Sequence, residues 1–134
     1  MKLIVCLDER GGMAFGGRRQ SRDRVLTADI VRTVGDSPLY MTEYSAKLFE
    51  RRLDSYIITD SPMADAENGA YCFVEREDPA PFAERISELT VYHWNRHYPS
   101  DLRFGMDTSG FALVSTEDFV GSSHEKITKE VWKK

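Results

Sequence analysis

A chain of 134 residues with 41% hydrophobic and 30% charged side chains has the balance of a globular domain, not of a disordered segment. Its formal charge of −4 argues against a surface that attracts nucleic acid everywhere. No apolar run approaches the roughly 20 residues needed to span a bilayer, so no membrane partner is expected.

The opening MKLIVCLDERGG turns acidic at Asp8, too soon for a secretory signal. Lys2–Leu7 therefore reads as a buried first strand, and the protein as cytoplasmic. Gly11, Gly12, Gly16 and Gly17 then mark a flexible loop around Met13 and Phe15, which leads into the basic run RRQSRDR at 18–24. Val25, Leu26, Ile30 and Val34 recur at helical spacing over 23–34, and Gly35 and Pro38 close that helix. Leu39–Met41 reads as a strand, 45–53 as a second helix presenting Leu48 and Phe49, and 56–59 as a strand.

Residues 61–69 read as loop, 70–74 as a strand, and 79–88 as a short helix with Phe82 and Ile86 turned inward. Residues 89–98 form an aromatic, strand-like run ended by Pro99. Residues 111–120 and 126–133 predict an antiparallel hairpin joined through Gly121-Ser122-Ser123. This alternation predicts an α/β fold over 1–134 as a single domain, its mostly parallel central sheet flanked by helices and finished by the hairpin. Cys6 and Cys72 lie in apolar strands without a CxxC spacing, so both are expected to be buried and reduced.

Several stretches in this order resemble dihydrofolate reductase. MKLIVCLDERGGMAFG resembles that family's opening strand and substrate-side loop, and LTADIVR its active-site helix. SPLYMTEYSAKLFE, YPSDLRF and FALVSTEDF resemble later pieces in sequence. The resemblance implies a dihydrofolate reductase-like fold and places Asp29 at the catalytic carboxylate. It also exposes departures. The family's Pro-Trp is replaced by Gln20-Ser21-Arg22, and its cofactor arginine falls on Glu43, whose charge would repel a 2′-phosphate. No glycine lies between Tyr71 and Tyr98, where a Gly-Gly turn would let a pyrophosphate approach the backbone. No cofactor is therefore expected. A resemblance to ribonuclease Z finds no support in the motifs. That chemistry needs a His-x-His-x-Asp-His cluster, and only His93, His97 and His124 occur.

The candidate site residues follow from chemistry. Arg18, Arg19, Arg22 and Arg24 could fork a phosphate or carboxylate near a helix start, or pair internally with Asp8, Glu9 or Glu43. Asp29 either faces a cleft, where burial would raise its pKa and fit it to donate a proton, or faces water as an ordinary helix acid. Tyr92, with Trp94, Tyr98 and Arg96, would form a strand face that stacks a base or simply packs. The glycine spacing followed by Arg18-Arg19 lacks the Lys and Ser/Thr of a phosphate loop. His93 and His97, on one strand, would lie about 13 Å apart at 3.3 Å per residue, too far to share a metal.

The reading that best unites these features is a non-reductase protein that binds a small anionic ligand on a degenerate dihydrofolate reductase fold. The alternatives are nucleic-acid binding or processing through the 18–24 arginine loop, and a regulatory protein-interaction module.

Overall fold

A computed structural model describes residues 1–134. The first strand, β1 (Lys2–Leu7), forms where the sequence predicts it and lies inside the sheet, parallel to β6 (Tyr71–Phe73) on one side and to β7 (Glu88–His93) on the other. Its side chains are covered from both faces, which its continuous apolar run requires. Outward from β6 lie β4 (Leu39–Met41) and β5 (Tyr56–Ile58), again parallel. Beyond β7 come β10 (Ile127–Lys133) and β9 (Ala112–Phe119), the expected antiparallel hairpin. The full order is β5-β4-β6-β1-β7-β10-β9, a mixed sheet of seven strands with a parallel centre.

Helix α1 (Arg24–Val34) starts because Asp23 caps it, its side chain accepting from the N–H groups of Val25 and Leu26. It buries Leu26, Ile30 and Val34 against Ile4, Tyr71, Phe73 and Tyr92 on one face of the sheet. Gly35, at φ 57, ends it in a left-handed conformation that a side chain would disfavour. On the opposite face Leu3, Val5, Cys72, Val74, Leu89 and Val91 pack with Met63, Ile86 and Met106. No helix is long and apolar enough to cross a membrane.

Four expectations need correction. The predicted 45–53 helix shrinks to α2 (Glu43–Ala46), because hydrogen bonds then switch to a tighter pattern, Leu48 N to Ser45 O and Phe49 N to Ala46 O, both 3.1 Å. That turn drives Phe49 into the core between Tyr56 and Phe73, and burial overrides helix propensity. The 61–69 loop contains a single helical turn, α3 (Pro62–Asp65), which buries Met63. The 89–98 strand stops at His93, since Asn95 takes a left-handed φ of 57. His97 therefore sits in a loop, and the strand-spacing argument about a His pair does not apply to it.

The glycine loop is the fourth. It is a hairpin of β2 (Gly12–Phe15) and β3 (Arg18–Arg19), extended by β8 (Leu102–Arg103) into a second, three-stranded sheet. Gly16 and Gly17, at φ 58 and 73, supply the two left-handed residues that a tight two-residue hairpin turn requires. The two cysteines are unlinked. Cys72 is buried as expected, but Cys6 is only partly so.

Candidate functional site

The arginine run divides into two parts with different surroundings. Arg18 is exposed on β3, while Arg19 reaches across the carboxyl ends of the central strands to Glu75, at the end of β6. The contact is a fork, Arg19 Nε to Glu75 Oε2 at 2.8 Å and Nη2 to Oε1 at 3.1 Å. Ser45 Oγ donates to the same carboxylate at 2.8 Å. Tyr44 completes the arrangement, its hydroxyl accepting from Arg19 N at 2.9 Å and its ring lying under both Arg19 and Arg76. The internal partner is thus Glu75, and not Asp8, Glu9 or Glu43. Asp8 instead accepts from the N–H groups of Arg10, Gly12 and Tyr98, and Glu43 pairs with Arg52.

Arg22 and Arg24 stay exposed and line a cleft of about 400 Å³ between α1 and the 48–56 segment. Thr27, Ala28 and Val31 of α1 contribute to one side, Leu48, Phe49, Leu53 and Tyr56 to the other, and Asp23, Glu50 and Arg51 also line it. No salt bridge involves Arg22, Arg24 or Arg51.

Asp29 does not line this cleft. It lies toward the terminal hairpin, accepting from Tyr92 Oη at 2.7 Å and Lys129 Nζ at 2.9 Å, with Arg32 as a further partner. Burial pushes its carboxyl up, but these donors outweigh burial and hold it below the ordinary carboxylate range. The expectation of a raised pKa is therefore reversed, and Asp29 is held as a carboxylate rather than as a proton donor. Tyr92 is fully buried under α1, its phenol raised by that burial and by Asp29, so it offers no surface to a ligand. Trp94 is buried too, and Tyr98 lies in the following loop, so the expected aromatic face does not form.

A second polar centre escaped sequence reasoning. His124, from the hairpin connection, donates from Nδ1 to the Asp23 Oδ2 carboxylate oxygen at 2.9 Å, both side chains almost completely buried. Its Nε2 faces Tyr98 Oη at 2.9 Å and Ser21 Oγ at 3.2 Å, and Trp94 stacks on the ring at 4.6 Å. Asp23 was readable as a helix cap, but nothing in the spacing joined it to a histidine 101 residues away. No group of three or more His, Cys, Asp or Glu side chains is arranged to hold a metal.

Sequence comparison adds nothing to the geometry, for no family model and no curated protein matches the chain. Structure comparison does. The chain is similar to the dihydrofolate reductase of Enterococcus faecalis complexed with NADP(H) and RAB-propyl, with a TM-score of 0.72 over 98% of this chain and 94% of that one. The fold is that of a dihydrofolate reductase. At 13% identity the likeness fixes the dihydrofolate reductase-like architecture and leaves the chemistry to be argued from the residues.

Proposed function

We propose that the chain is a non-reductase member of this architecture that binds a small ligand with an aromatic or apolar body and a carboxylate or phosphate group. The observation that carries the reading is the cleft between α1 and 48–56, where six of twelve lining residues are hydrophobic and Arg22, Arg24 and Arg51, beside Glu50, stand in no salt bridge. Guanidinium groups so placed fork an oxyanion while the lining removes apolar surface from water.

NADP(H), bound in the Enterococcus faecalis enzyme, does not fit the residues present here. The segment after β6 carries the Glu75, Glu77 and Asp78 carboxylates. The short 3-10 helix that follows, Ala80–Arg85, is flanked and interrupted by Pro79 and Pro81, which have no N–H. Its remaining early donors are taken, Ala80 N by Asp78 Oδ1 and Phe82 N by Pro79 O. At this helix start a pyrophosphate would find negative charge and no free amide.

The test is a heteronuclear NMR titration with phenyl phosphate and benzoate against neutral benzamide. The two anions are expected to shift the amides of 22–31 and 48–56, with binding weakened about tenfold or more in the R24A/R51A double variant. Equal binding of benzamide, or no loss in that variant, would remove the arginines from the site.

A further inference from the structure

Ser21, His124 and Asp23 stand in the order nucleophile, base, orienting acid. Ser21 Oγ lies 3.2 Å from His124 Nε2, and His124 Nδ1 lies 2.9 Å from Asp23 Oδ2. A hydroxyl within hydrogen-bond reach of an imidazole that a third group orients is the arrangement by which a weak serine nucleophile is activated. The graded burial suits that task, since His124 and Asp23 are 4% exposed while Ser21 is only partly covered. Asp23 is itself anchored by the N–H groups of Val25, Ser122 and Ser123, at 2.9, 2.9 and 2.8 Å. It holds the imidazole with its proton on Nδ1 and the lone pair of Nε2 toward Ser21. Trp94, stacked at 28°, fixes the ring plane.

We propose that Ser21 is a nucleophile served by His124 as general base and Asp23 as its positioning residue, and that this centre performs acyl transfer on small esters. In the first half, Ser21 Oγ bonds to the ester carbonyl carbon and its proton passes to His124 Nε2. The carbon–oxygen bond to the alcohol then breaks, and the leaving oxygen takes that proton. In the second half a water attacks the acyl-serine, gives a proton to Nε2, and Ser21 Oγ leaves with it. One ester and one water become one acid and one alcohol. The N–H of Arg22, next in sequence to the nucleophile, makes no hydrogen bond within the chain and is free to serve the developing oxyanion.

Tyr98 sets the reactivity of this centre. Its hydroxyl lies 2.9 Å from the same Nε2 and 3.3 Å from Ser21 Oγ. A neutral imidazole that donates from Nδ1 has a single lone pair at Nε2, so the phenol and the serine compete for it. The phenol contact is the shorter, which makes the resting centre restrained, and removal of the phenol hands Nε2 to Ser21.

The proposal does not depend on an anion binding in the neighbouring cleft, and its test uses an uncharged probe. The chain is incubated with diisopropyl fluorophosphate, followed by intact mass and peptide mapping, and separately assayed for p-nitrophenyl acetate hydrolysis. A single adduct is expected on Ser21, absent in S21A, formed several-fold faster in Y98F, and slowed about 10²–10⁴-fold in H124Q. S21A keeps the His124–Asp23 contact and serves as the folded control by its melting temperature. A network that is only structural gives no adduct in either wild type or Y98F, or an adduct that persists in S21A, and either result overturns the assignment.

Discussion

The two oxygens of Asp23 face different parts of the chain. Oδ1 accepts from Val25 and Leu26 at the start of α1 and from Ser122, while Oδ2 accepts from Ser123 and meets His124. One carboxylate thereby ties a helix start to the connection of the terminal hairpin. The turn can wrap it so closely because residue 121 is glycine, where a Cβ would run into the Asp23 carboxylate. Burial pushes the Asp23 carboxyl up, but the donors from Ser123, Ser122, His124 and Leu26 outweigh it and hold the group far below its ordinary value. A carboxyl depressed in the folded state stabilises the protein above the unfolded pKa, about 3.9, and that contribution fades as pH falls below it. Asp23→Asn is therefore expected to lose stability at pH 7, with the gap from wild type narrowing by pH 3. Asp23→Ala, which leaves buried donors without a partner, is expected to cost about 3–5 kcal/mol at pH 7. Urea unfolding of the three proteins at both pH values checks this, and a gap independent of pH would remove the charge of Asp23 as its source.

At the scale of elements, the β2–β3 hairpin shows why a motif can be visible while its meaning is not. The glycines at 16 and 17 signal a turn, yet whether such a turn stays mobile or seats on the sheet depends on Glu75, 56 residues away from Arg19. Helix α1 and strand β4 were legible because apolar spacing and capping are local signals, and their limits agree with expectation to within a residue. The 45–53 helix was not, because Phe49 is drawn into the core by Tyr56 and Phe73, which no local pattern announces. The Arg19–Glu75 fork makes the seating of the hairpin testable. Both side chains are largely covered, at 19% and 7% exposure, so removing only the cation strands a buried carboxylate. Arg19→Met is expected to cost about 3–5 kcal/mol, with much of the loss recovered when Glu75→Met is added. Amide hydrogen exchange across 12–19 should accelerate in the single variant and slow again in the double. Unchanged exchange in the single variant would mean that the hairpin is held by β8 alone.

For the whole molecule, the order of strands and helices was enough to suggest the architecture, since a chain alternating β and α has few ways to build a sheet with crossovers. The candidate site was legible only in part. Arg22 and Arg24 do line the cleft, but Arg51 joins them through packing, and Asp29 turns toward Tyr92 and Lys129. The same architecture in the Enterococcus faecalis enzyme is complexed with NADP(H), which poses the sharpest question for this chain. Three features of the molecule act together against that ligand. The Arg19–Glu75–Ser45 contact sets a carboxylate at the strand ends, the segment after β6 adds Glu77 and Asp78, and the helix beyond begins between prolines with its first amides already bonded. A net charge of −4 adds a weak repulsion for a polyanion. Glu75→Gln with Arg19→Ala would break the contact at the strand ends and keep the net charge at −4, but would leave the missing amide donors uncorrected. NADPH is therefore expected to bind neither protein at micromolar concentration, as read by quenching of its nicotinamide fluorescence. Phenyl phosphate should still bind the wild type through the separate arginine cleft. Micromolar NADPH affinity in the wild type would show that the carboxylates after β6 do not govern the crevice, and acquisition of it by the double variant alone would place the block in the Arg19–Glu75 fork rather than in the proline-bounded helix.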